Sequence, residues 1–225
     1  MFAAHTASIN ATELQNEEYI EKNQGSLEEQ ERNSEILKEK DADLSISLFG
    51  WGDTIRPQMK IYEQENEYYC GPANVKIVLQ SINGSSYSQG TYAYNMGTSR
   101  NYGTYVYRLV NELNAQLSVT SYAYAYIGSS SRQYLMDRLV SDIKKNYPVI
   151  LHADTRPLYM YYGNSLGHYL TVDSVIADGS DLNKITRVGY LDPFYEDYGR
   201  GKVFGSWTES FENIFQSVLD RYLIW

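Results

Sequence analysis

The chain carries one cysteine, Cys70, within Gln64-Glu65-Asn66-Glu67-Tyr68-Tyr69-Cys70-Gly71-Pro72-Ala73, and the residues that follow predict that it starts an apolar helix. A thiol in that position meets unpaired backbone N–H groups and the positive end of the helix dipole. Both favour the thiolate and lower its pKa from about 8.5, so the chemistry that fits is nucleophilic attack. Upstream, Gln64 offers a side-chain amide that, with the Cys70 backbone N–H, can donate two hydrogen bonds to an oxyanion. Such a nucleophile needs a base near it in space rather than in sequence. His168, in Leu166-Gly167-His168-Tyr169-Leu170-Thr171-Val172, is the candidate base. Asp192, in Tyr190-Leu191-Asp192-Pro193, is the candidate for orienting the imidazole and favouring its charged form. The competing readings are a small buried apolar role for Cys70 and a plain Asp-Pro turn at Asp192.

These residues need rigid carriers. Pro72 near the first turn, the apolar Ala73, Val75, Ile77, Val78, Leu79 and Ile82, and a stop at Asn83-Gly84 predict a helix over 71–82. Its apolar positions surround the cylinder, so it belongs in the core, where it can hold its first residue firmly. A Gly/Ser/Tyr-rich loop follows, then a helix over about 103–114, a strand from Leu117 to Tyr126, and a helix over Ser131 to Lys145 on the spacing of Leu135, Leu139 and Ile143. Strands are predicted near 148–153, 167–177 and 185–191, the last two carrying His168 and Asp192. Pro193 holds Asp192 extended and ends its strand. A final helix is predicted from Ser206-x-x-Glu209, read as a capping box. Helices first and antiparallel strands later make an α+β domain.

The order and local sequences resemble the C39-like cysteine peptidases of papain fold. The resemblance rests on Gln64 with Cys70-Gly71-Pro72-Ala73, then Tyr147-Pro148-Val149-Ile150-Leu151, Gly167-His168-Tyr169, Leu191-Asp192-Pro193, and Ser206-Trp207 with Phe211, over roughly residues 55–220. It implies an α+β papain-like fold, an N-terminal helical part with the nucleophile helix followed by an antiparallel β-sheet. It also implies that Gln64 is the oxyanion-hole residue, Cys70 the nucleophile, His168 the general base and acid, and Asp192 the group orienting His168. Peptide hydrolysis through a thioester then follows, with a peptide or protein substrate, no cofactor and a secreted or cell-surface location. The same apparatus suits amidase or transpeptidase chemistry, and the scaffold without catalysis suits a peptide- or glycan-binding module. One departure is Tyr69, where many members carry an acidic residue.

Composition bounds the rest. The 225 residues, 43% apolar, suffice for one well-buried domain with an appendage. Residues 1–45 hold 11 of the 28 acidic and 4 of the 19 basic residues, so they carry -7 of the net -9 and the remainder only -2. That near-neutral remainder argues against a nucleic-acid binder. Residues 1–50 read as an acidic leader or pro-segment, with a flexible spacer the favoured form and Ile36-Leu37 a weak docking point; residues 51–225 read as the domain. On that reading, removal of residues 1–45 leaves a folded domain. No apolar run long enough to cross a membrane is present, and one cysteine allows no intrachain disulfide.

Tyrosine is the compositional outlier, 23 against 6 phenylalanines. Its flat apolar face and hydrogen-bonding tip suit a peptide groove, and Tyr69, Tyr161 and Tyr162 lie beside the candidate catalytic motifs. With Gly167 they form the expected substrate-binding set. His152, Asp154, His168 and Asp173 match no standard metal-ligand spacing, and no metal is expected.

Overall fold

The computed structural model describes residues 11–44, 54–55, 59–118, 122–178 and 181–225. Two helices come first, α1 (Ala11–Gln24) and α2 (Leu27–Leu44), followed by the two-residue strand β1 (Thr54–Ile55). The helical part continues with α3 (Cys70–Asn83), α4 (Gln89–Met96) and α5 (Val106–Gln116). Then come β2 (Tyr124–Ile127), α6 (Arg132–Lys144), β3 (Val149–Asp154), β4 (Gly167–Asp178), β5 (Asp181–Asp192), β6 (Gly205–Ser210), α7 (Phe211–Val218) and β7 (Arg221–Ile224). The fold is α+β, with helices early and a seven-stranded sheet late. Its strand order is β2-β7-β3-β4-β5-β6, every pairing is antiparallel, and β1 pairs with β4.

Alternation along the strands divides the core in two, because successive side chains leave opposite faces of a sheet. On one face Leu151, Ala153, Leu170 and Val172 pack with Leu135 and Leu139 of α6 and Ile214 and Val218 of α7. On the other, Ile150, Tyr169, Tyr222 and Ile224 pack with Val75, Val78 and Leu79 of α3 and Leu109 and Leu113 of α5. Helix α3 buries nearly its whole first two turns, as its all-round apolar pattern requires, and Gly84 ends it in the left-handed conformation. Full burial of each such aliphatic side chain is worth about 1.5–3 kcal/mol.

Three local expectations give way. Ser206 and Glu209 are not a helix cap but lie in strand β6, paired with β5; the last helix starts at Phe211, and Ser210 caps it by accepting from the Asn213 N–H. The loop after α3 contains α4, capped by Ser88 accepting from the Thr91 N–H. The strand expected from Leu117 begins only at Tyr124, with 119–121 outside the described residues, and the terminal strand β7 is an element beyond those the sequence predicts.

Residues 11–44, where composition alone leads one to expect a solvated leader, form two helices bonded to the body. The Asn23 side chain accepts from the Val106 N–H at the start of α5. Asn33 bonds both backbone groups of Tyr124, like an added strand partner. Leu37 packs against the α6/α7 core, and Lys40 pairs with Asp142. Among the described residues no helix is long and apolar enough to cross a membrane.

Candidate active site

Cys70 is the first residue of α3 and His168 the second of β4, and a buried polar knot sets one against the other. Asn74, one turn after Cys70, donates to the Cys70 carbonyl at 2.8 Å and to the Tyr169 carbonyl at 2.7 Å, while its own carbonyl accepts from the Thr171 hydroxyl. All of the side-chain polar atoms of Asn74 are thereby paired at full burial. The helix cannot slide along the strand without breaking these bonds, each expensive to leave unmade in the interior. Gly71 lets the helix start pack against the loop before α5, since a Cβ there would run into the Thr104 side chain.

Register brings in the carboxylate. Thr171 pairs with Leu191, so Asp192, one step further on, shares a sheet face with His168 and reaches it diagonally. The His168 Nε2–Asp192 Oδ1 separation is 2.9 Å. Asp192 also accepts from the Tyr161 hydroxyl at 2.9 Å through Oδ2 and from the Phe194 N–H at 3.0 Å. Nε2 being engaged, the other ring nitrogen of His168 is the one left to interact with the Cys70 thiol, and each group shifts the pKa of the other.

Electrostatics follow from this order of contacts. Burial, the largest influence on His168, pulls its pKa down; the charge and hydrogen bond of Asp192, joined by Cys70, outweigh it and push the imidazolium up to about 10. For Cys70 burial again acts first, pushing the thiol up. The hydrogen bond and charge of His168, with the Tyr169 and Gly71 backbone, win and hold it below the ordinary 9.0. Each of the two groups thereby shifts the other towards its charged form.

Cys70 opens on a cavity of about 590 Å³ that is also lined by Gly167, His152, Tyr169 and Thr104, and by Tyr19 and Asn23 of α1. Of the expected substrate-binding set, Gly167 alone lines it. Tyr161 corrects the sequence reading: it is fully buried, with its hydroxyl on Asp192, so it supports the carboxylate instead of facing a groove. Tyr162 is largely exposed, with the Arg200 guanidinium over its ring, and Tyr69 packs edge-on against Tyr68. Gln64 is buried; its N–H bonds the Pro193 carbonyl, beside Asp192, and its side-chain amide donates to Asn66 at 2.8 Å while Oε1 has no partner.

Sequence reasoning missed Asn74, Thr171 and the contact of Tyr161 with Asp192. The signal available for Asn74 was an amide within the apolar first turns of the helix, four residues after the cysteine. Nothing in the sequence pairs Tyr161 with Asp192. Among the described residues no three His, Cys, Asp or Glu side chains converge to hold a metal: His152 bonds Tyr19, Asp154 pairs with Arg156, and His168 with Asp192.

The chain matches the Peptidase_C39 like family over residues 57–218. Among solved structures it is similar to a double glycine motif protease from an AMS/PCAT transporter, in complex with the leader peptide (13% identity, 78% of this chain and 96% of that one, TM-score 0.46). It is similar also to the peptidase domain of Streptococcus ComA, a bifunctional ABC transporter of a quorum-sensing pathway (19%, 75% and 97%, 0.46). A third is the bromelain protease of Ananas comosus in complex with the E64 inhibitor (14%, 74% and 93%, 0.41). No curated protein matches.

Proposed function

The chain belongs to the C39-like peptidase family, and on that premise we propose that it is a cysteine peptidase of papain-like arrangement that cuts peptide bonds through Cys70, His168 and Asp192. The observation that carries the reading is that His168, 2.9 Å from Asp192, also acts on the Cys70 thiol, and that this thiol lines a cavity. The Cys70 thiolate attacks the amide carbonyl, and charge passes to the carbonyl oxygen. The Cys70 N–H and the second N–H of the Gln64 side chain, the one not given to Asn66, stabilise that oxyanion. His168, starting as the imidazolium, protonates the leaving amine and the C–N bond breaks, leaving a thioester. The now neutral His168 takes a proton from water, which attacks the thioester and frees the acid and the thiolate.

Tyr161 and the Phe194 N–H hold Asp192 so that its carboxylate stays aimed at Nε2, the support any triad carboxylate needs. For location, the reading carries secretion or cell-surface display, which rests on the family likeness and is tested by fractionating the producing cells.

The deciding experiment is the rate of Cys70 alkylation by iodoacetamide against pH, for the parent and for His168→Ala. In the parent, alkylation is expected to be fast already below pH 9 and flat until near pH 10. In His168→Ala, burial is left without its counterweight and the onset moves above 9. An identical profile in both proteins, or a parent thiol inert at neutral pH, sinks the reading.

A further inference from the structure

Beside the Cys70 cavity stands a second histidine that the proposed chemistry does not use. His152 of β3 is sandwiched between the Tyr169 ring, 4.5 Å away, and the Tyr19 ring of α1, 5.7 Å away, both stacked on it. The Tyr19 hydroxyl lies 2.6 Å from Nδ1. Among the described residues no other acceptor faces the Tyr19 hydroxyl; with the hydroxyl donating to Nδ1, the neutral ring carries its own proton on Nε2. Nε2 has no partner among the described residues. It points to Gly167: a Cβ built there would stand 3.7 Å from it, and both residues line the cavity that Cys70 opens on.

We infer that His152 is a substrate-binding residue: its Nε2–H, aimed by Tyr19, donates to a main-chain carbonyl of the bound peptide other than the one that reacts, making α1 a working wall of the peptide cleft. The inference rests on the peptidase reading and deepens it. The chemistry fits a neutral amide carbonyl better than a carboxylate, because the ring stays uncharged. Burial first, then the nearby charges of Arg221 and His168, hold its pKa down at about 3. A histidine kept only for packing has no reason to leave one ring nitrogen bare at a cavity when the other is bonded. Gly167 acquires a reason as well. Its position tolerates a Cβ, which would meet nothing closer than Nε2 itself, yet that methyl would cover the donor.

The test compares two alkylating agents on the full chain, iodoacetamide, which needs no peptide recognition, and a panel of N-capped dipeptidyl chloromethyl ketones. The parent should prefer the best peptidyl reagent strongly. The ratio of the two rates should fall about tenfold in His152→Leu and in Gly167→Ala, the worth of one hydrogen bond. It should fall less in Tyr19→Phe, which keeps the stack but frees the tautomer, and recover in His152→Gln, whose amide restores a donor. If either His152→Leu or Gly167→Ala keeps the parent's ratio, including by slowing both reagents alike, His152 is structural and the inference fails while the peptidase reading stands. If the parent itself shows no preference for any peptidyl reagent, the peptidase reading fails first.

Discussion

At the scale of residues, the candidate site is a set of groups each held in an uncommon state by a named neighbour. Cys70 without His168 would be an inert buried thiol, and His168 without Asp192 would lose its charge to burial. The two shifts have opposite signs in pH. The raised His168 contributes stability that is complete below about 6.5 and lost as pH climbs through about 10; the lowered Cys70 contributes stability complete above 9.0 and lost as pH falls through its folded value. Unfolding measured across this range should therefore show the Cys70→Ala protein without the gain in stability that the parent makes as pH rises towards 9.0, while the loss through about 10 set by His168 and Asp192 remains. Asp192→Asn should lower peptide hydrolysis by orders of magnitude with the fold intact, since the amide presents the wrong partner to Nε2. Tyr161→Phe leaves Oδ2 of Asp192 one donor short. We expect a rate loss of about tenfold carried in kcat rather than KM, together with an altered kcat–pH profile, and a change confined to KM would refute a positioning role.

At the scale of elements, the junction between α3 and β4 decides whether thiol and imidazole meet. Asn74 is its pin. Asn74→Leu should cost about 1–3 kcal/mol in denaturant unfolding, because the Tyr169 carbonyl and Thr171 hydroxyl stay buried without it. It should also slow Cys70 alkylation, because the helix start is no longer indexed to His168. A variant as stable as the parent would show that water replaces the amide. The opening of α7 allows a cleaner comparison. Ser210→Ala should cost about 1 kcal/mol by removing the cap on the Asn213 N–H, and Ser206→Ala, in an edge strand, should shift the melting temperature far less.

At the scale of the whole molecule, α1 and α2 are joined to the body at sites that would be costly to uncover. Removing them strips the Val106 and Tyr124 N–H groups of their acceptors, the Tyr124 hydroxyl of its bond to the Gln24 carbonyl, and Asp142 of Lys40. Burial, its largest influence, already pushes the Asp142 carboxyl up, so the loss of Lys40 leaves a poorly compensated acid. We propose that residues 51–225 form the peptidase domain and that the segment before it acts as a structural brace rather than a spacer. Deleting residues 1–45 should then lower the melting temperature by several degrees and weaken peptide recognition with the loss of Tyr19, measured by calorimetry and by the reagent ratio above. An unchanged melting temperature would return those helices to the role of a spacer.

Much of this could be read from the sequence because it is local. Cys70-Gly71-Pro72 ahead of an apolar run specifies a buried helix with a thiol at its start, and β-branched alternation around His168 specifies a strand, since both patterns are set by neighbours within a few residues. Those same short-range patterns misled at Ser206, where Ser-Trp-Thr-Glu-Ser satisfies a capping spacing and a strand alternation equally, and pairing with β5 made the choice. The partners of Asp192, the pin at Asn74, the seating of α1 and the bond of Tyr19 to His152 join residues 31, 97, 83 and 133 positions apart. Such contacts have no signature along a single chain. They were decided by the tertiary structure, because only packing determines which polar groups lose water together and must satisfy one another.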